Sequence, residues 1–274
     1  MNFRLFLFTT LLISLSGFSQ EKRLALVIGN SNYEKGPLNN PVNDALLMAE
    51  NLKSLNFDVI LDTNIETIIQ FNDVVRKFGD LRDQYNVGLI YYAGHGIQIN
   101  DVNYLLATKE EYLSEFDVED KALSVQKIMR YLTERTDEVN VLILDACRNN
   151  PFEKNWTTVS RSGEVSKGLA KLSPPTGSLI AYSTDAGNTA SDGDQKNSIY
   201  CLSLTKNMNI EDISLDQVFR NVRREVLTSS DGKQRPVEAS QLTGTAFYLK
   251  KSTYTDKIKE IDSLIEINNF DIAR

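Results

Sequence analysis

The chain has one histidine, two cysteines and one tryptophan in 274 residues. Two cysteines are too few for a disulfide-built scaffold, and a domain of this size does not need one. One histidine among scattered acids gives no zinc-site spacing, so no metal is expected, and any imidazole chemistry must pass through His95. Basic excess is missing too: 30 Lys and Arg stand against 37 Asp and Glu, a net charge of -7. That balance excludes a general nucleic-acid or anionic-membrane binder, which needs a basic face to displace counterions. After residue 20 no apolar run is long enough to span a bilayer, since each breaks within about ten residues.

What is present points to a globular, exported protein. A hydrophobic content of 41% can fill a sizeable core. The opening MNFRLFLFTTLLISLSGFSQ has Arg4 as a basic n-region, an apolar stretch from Leu5 to Leu15, and Gly17 and Ser19 as small residues. This is the pattern of a signal peptide over 1–19, cut after Ser19. No cysteine lies near that point to carry a lipid anchor. The mature chain is expected to be soluble, without membrane insertion, and periplasmic or extracellular if the source is bacterial.

From residue 21 the chain alternates short apolar runs with amphipathic stretches. The runs are LALVIG (24–29), FDVIL (57–61), VGLIYYA (87–93), VNVLILDA (139–146), GSLIAYST (177–184) and TAFYLK (245–250). Nearly continuous apolar segments predict strands covered on both faces. Between them NPVNDALLMAENLKSLN, with Pro41 in its first turn, predicts a helix. NIETIIQFNDVVRKFGDLRDQ predicts another, capped by Asn64 or Thr63. LSVQKIMRYLTERT and SLDQVFRNVRREVLTSS read as two more, and SIYCLSLTKNM as a helix that buries Cys201. This order implies one α/β domain over 21–250 with a mainly parallel sheet. Residues 251–274 form a helical tail or linker. Two polar stretches, 149–176 and 185–197, follow strand ends, where an α/β sheet carries its site.

His95 lies in YYAGHG, straight after a buried run, where glycines on both sides allow a tight turn and close backbone approach, so that the ring can project from the sheet edge. Taken alone it is also an ordinary turn histidine. Cys147 ends VLILDAC, and in a parallel sheet both residues finish on the same edge. A thiol needs a base or a positive neighbour to become a thiolate near neutral pH, and this histidine supplies one. A Cys147 to Cys201 disulfide is the competing reading in an oxidising compartment.

LALVIGNSNY, NPVNDA, YYAGHG, LILDACR and LIAYSTDAGNTASDG together resemble the caspase-like clan of cysteine peptidases, family C14, in its paracaspase, metacaspase and bacterial caspase-like branch. The caspase signature places its histidine about fifty residues before the cysteine, as here. The resemblance covers about 22–250. It implies a caspase-like α/β fold, with a mainly parallel sheet of about six strands and helices on both faces. It further implies a Cys147/His95 dyad, with an oxyanion hole from the backbone N–H groups of Gly96 and Cys147. No third side chain is required, because a backbone carbonyl can orient the imidazole.

The same branch places carboxylates in the pocket for the P1 residue, where Asp145, Asp44 and Asp192 fall in this chain. Such a pocket selects Arg or Lys and repels Asp. Asp44 also reads as a first-turn helix acid, and Asp192 as part of a turn. Basic preference leads to an expectation of self-processing in the loop 154–171, which carries Lys154, Arg161, Lys167 and Lys171. No cofactor is expected. For a calcium requirement of the kind some metacaspases show, the only hint is SDGDQKN, which lacks EF-hand spacing. The rival reading is a catalytically silent binding or scaffold domain on the same fold.

Overall fold

Residues 21–133, 139–147, 169–185, 196–252, 254 and 258 are described by a computed structural model. The expected signal peptide, residues 154–168, Asp192 and most of the tail lie outside the described residues. In chain order the elements are β1 (Arg23–Gly29), α1 (Pro41–Ser54), β2 (Phe57–Thr63), α2 (Ile68–Arg82), β3 (Val87–Ile99), β4 (Val102–Leu105) and α3 (Glu115–Lys121). There follow β5 (Leu123–Ser124), α4 (Val125–Leu132), β6 (Val139–Cys147), β7 (Ser178–Tyr182), α5 (Ile199–Met208), α6 (Leu215–Ser229) and β8 (Val237–Ser240).

The main sheet runs β2-β1-β3-β6-β7-β8, and all its neighbours are parallel except β7 and β8. Strand residues alternate between the two faces, and each set has its own core. Ala25, Val27, Leu89, Tyr91, Val141, Ile143, Leu179 and Ala181 pack with α1, α5 and α6. Leu24, Leu26, Ile28, Ile90, Tyr92, Leu142, Leu144 and Ile180 pack with α2 and α4. Each fully buried aliphatic or aromatic side chain of this kind contributes roughly 1.5–3 kcal/mol of transfer free energy. This two-layer burial is why the runs carry no polar alternation. The α/β class and the helices on both faces are as expected.

Three expectations need correction. TAFYLK forms no strand: within it only Tyr248 makes an isolated bridge, to Ser214, and Phe247 and Leu249 pack on the α1/α5/α6 core. The sheet edge goes instead to β8, VEAS, which is only half buried and has no apolar run to announce it. Helix α2 is capped by Thr67, which forms a capping box with Gln70. Asn64 instead adopts a left-handed backbone, and its Oδ1 accepts from the N–H groups of Ser31 and Asn32.

The third correction bears on the site. GHG is not a tight turn, because β3 runs on through it to Ile99. Up to His95 the strand pairs with β6 in parallel, and from Gly96 it pairs with β4 antiparallel. Gly94 supplies the change of direction with φ +154°.

Candidate active site

Every expected site residue that the structure describes stands at or beside the C-terminal edge of the parallel strands. On β6, Asp145 pairs with Ala93 and Cys147 with His95. Neighbouring strands lie about 4.8 Å apart, so this register sets positions 95 and 147 side by side. Gly96 is the next residue of β3 and pairs with Leu105. Asp44 sits in the first turn of α1 and is buried. Asp192 lies outside the described residues.

The His95 ring is held from the β1–α1 loop. Its Nε2 lies 2.6 Å from the carbonyl oxygen of Gly36. A carbonyl only accepts, so Nε2 carries the proton and Nδ1 is the nitrogen that exchanges one. Tyr33, from the same loop, packs on the imidazole with ring centroids 4.4 Å apart, tilted by 55°. The His95 N–H donates to Tyr33 Oη at 2.9 Å, and Tyr92 Oη donates to the His95 carbonyl at 2.7 Å.

The two acids meet at the start of α5. Ser198, its N-cap, donates its backbone N–H to Asp44 Oδ1 at 3.0 Å and its hydroxyl to Asp145 Oδ2 at 3.2 Å. The same hydroxyl accepts from Cys201 N, and Asn197 Nδ2 donates to Asp44 Oδ1 at 2.8 Å. Tyr91, at the centre of β3, donates to Asp145 Oδ2 at 3.0 Å. Asp44 and Asp145 are 2% and 8% exposed, so their charges are poorly hydrated and feel one another. Burial pushes the Asp145 carboxyl up to about 7, and the Asp44 charge adds to the rise. The donors Tyr91 and Ser198 pull in the opposite direction.

Two adjoining, poorly hydrated carboxylates repel one another, and a cation placed between them would relieve that repulsion. Cys201 lies beneath them, fully buried and free, so it makes no bridge to Cys147. Burial raises its thiol well above the ordinary range, with Asp44 and Asp145 adding to the effect, and it is an inert core thiol as expected. Among the described residues no group of three or more His, Cys, Asp and Glu is arranged to hold a metal ion.

A family model for the caspase domain of peptidase family C14 matches residues 22–247. The chain belongs to that family. The crystal structure of caspase-1 from Spodoptera frugiperda superposes with a TM-score of 0.62 at 15% identity, covering 85% of this chain and 91% of that one. The caspase-like fold is therefore shared. The human mucosa-associated lymphoid tissue lymphoma translocation protein 1 is 33% identical over 129 residues, and its mouse homologue is 32% identical over the same length. Each match covers 46% of this chain but only 15% of the relative. The family is one of cysteine peptidases.

Sequence reasoning assigned no role to Tyr33, Gly36, Tyr91, Tyr92 or Ser198. Tyr33 and the two tyrosines of YYAGHG stood inside the recognised motifs, but nothing in a linear pattern tells a tyrosine that clamps a histidine from one that fills a core. Ser198 carries no local signal of this role, since its acidic partners lie in α1 and β6.

Proposed function

We propose that this protein is an exported cysteine endopeptidase that hydrolyses peptide bonds after Arg or Lys through Cys147 and His95. The observation that carries the proposal is the pairing of Cys147 with the only histidine, next to two buried carboxylates joined through Ser198. The Cys147 thiolate attacks the scissile carbonyl carbon. As the C–S bond forms, negative charge moves to the carbonyl oxygen, where the backbone N–H groups of Gly96 and Cys147 donate to it. His95 gives the Nδ1 proton to the leaving amine as the C–N bond breaks, and water then hydrolyses the thioester.

The P1 cation rests against Asp44 and Asp145, with Asp192 as the third acid of the pocket. An Asp at P1 would bury a like charge beside them and is rejected. The signal-peptide pattern of residues 1–19 supports export.

Fluorogenic peptides with Arg, Lys or Asp at P1, assayed with a thiol reductant, test this reading. Turnover of the Arg and Lys peptides, and its loss in Cys147→Ala, is the expected result. Turnover of the Asp peptide alone would overturn the acidic pocket. No turnover of any peptide would favour a silent scaffold on the same fold. Intact masses of the two proteins after long incubation read self-processing in the loop 154–171, and identical uncut chains would refute it.

A further inference from the structure

The backbone of His95 is held by side chains at the point where β3 leaves the parallel sheet. Up to this residue the strand has β6 beside it, and beyond it β4 takes over on the antiparallel side. The His95 N–H ends on Tyr33 Oη, while its carbonyl accepts from Tyr92 Oη and, at 3.2 Å, from the N–H of Leu106. The two hydroxyls lie 3.1 Å apart, and both reach the carbonyl of Leu106, at 3.3 and 3.4 Å. Tyr33 is 4% exposed and Tyr92 fully buried. The Tyr33 ring also meets the His95 imidazole, with centroids 4.4 Å apart and planes tilted by 55°.

We propose that Tyr33 and Tyr92 are positioning residues for His95: their hydroxyls fix its peptide group, and the Tyr33 ring steadies its imidazolium form. The inference rests on the reading of His95 as the acid–base partner of Cys147. The two parts of Tyr33 do different work. The hydroxyl sets where the backbone, and so the ring, begins. The aromatic face attracts a neighbouring cation, so it favours the imidazolium that accompanies a thiolate.

Among the described residues, the titratable side chains that touch His95 include Tyr33 from the β1–α1 loop and Tyr92 from β3 itself, and Cys147 holds the paired position of β6. Burial, then Tyr33, pushes the Tyr92 hydroxyl well above its ordinary value. Tyr112 adds to the rise of Tyr92. Tyr92 therefore stays a proton donor at every working pH.

Full-length Tyr33→Phe, Tyr92→Phe and Tyr33→Leu separate the two roles. One readout is kcat and KM on the Arg peptide. The other is the rate at which iodoacetamide alkylates Cys147 between about pH 5 and 9, located by peptide mass, which follows the thiolate without any substrate. Tyr33→Phe and Tyr92→Phe should each lower kcat by ~10-fold or more, with KM within ~3-fold, because a misplaced acid costs rate rather than binding. Tyr33→Phe keeps the aromatic face, so its alkylation profile should overlay the wild type. Tyr33→Leu should move the rise in alkylation to higher pH by about half a unit or more.

If both Phe variants keep kcat within twofold, or if Tyr33→Leu leaves the profile where it was, the proposal is wrong. His95→Ala tells this failure from failure of the underlying reading. Should His95→Ala alkylate with the wild-type profile, His95 is no partner of Cys147 and the clamp falls with it. Should His95→Ala shift the profile while the tyrosine variants do not, only the clamp is refuted.

Discussion

Asp145→Asn should cut turnover of Arg and Lys peptides by about 10²–10³-fold and, above neutral pH, make the protein more stable. The first effect follows from the proposed pocket, because the substitution removes one of the charges that would face the P1 cation, and truncating a buried charge partner costs about 2–5 kcal/mol. The variant keeps the shape of the carboxylate, and its side-chain oxygen still accepts from Tyr91 and Ser198. Its hydrogen bonds run to Tyr91 and Ser198, and alkylation of Cys147 should stay close to the wild-type rate.

The second effect has a definite sign. The Asp145 carboxyl titrates near 7 in the folded protein and near 4 in an unfolded chain. Between those values the folded state holds a proton that the unfolded state has released, so stability falls as pH rises through the window. Above about pH 7 the full penalty of a buried charge beside Asp44 is present, and asparagine does not carry it. Melting curves should therefore coincide near pH 4 and separate by several degrees, roughly 5–10 °C, at pH 8. Equal melting temperatures at both pH values would mean that Asp145 is not held at a cost. Asp145→Asn that is more stable but inactive on basic peptides would identify a site built against the stability of its own fold.

The same stretch illustrates how far the sequence could be read. VLILDA is a stretch of strand buried on both faces, so a continuous apolar run announced it, and the parallel order carried Asp145 and Cys147 to the edge where His95 also ends. Where burial is one-sided the signal failed. VEAS, half buried at the sheet edge, carries no run, whereas TAFYLK carries one because Phe247 and Leu249 cover a helix layer. The glycines about His95 misled for a different reason. Glycine marks a backbone that other residues avoid without saying whether it is a turn or, as at Gly94, a strand that changes partner. Contacts distant in the chain leave no trace in any local period. Asp44 meets Ser198 across 154 positions, and only the fold brings them together.

Gly94→Ala should lower kcat/KM on the Arg peptide by about 10²-fold or more, for a loss of stability of only about 1–3 kcal/mol. A methyl group there would lie 2.6 Å from Tyr33 Oη and 2.7 Å from Tyr92 Oη, on a backbone with φ +154° that other residues rarely adopt. Neither oxygen can simply swing aside, because both are hydrogen-bonded to the peptide group of His95. The strain is therefore passed to the histidine. Gly244→Ala is the matched comparison, with φ +80° and nothing within 4 Å of the added methyl. It should lose about 1–2 kcal/mol for its left-handed backbone and keep its activity. Combining Gly94→Ala with Tyr33→Phe removes one of the two clashing oxygens, so the stability losses should add to less than their sum. Activity should not recover with stability, since the hydroxyl that relieves the clash by leaving is the one that holds the His95 N–H. Recovery of both together would mean that Gly94 serves packing alone.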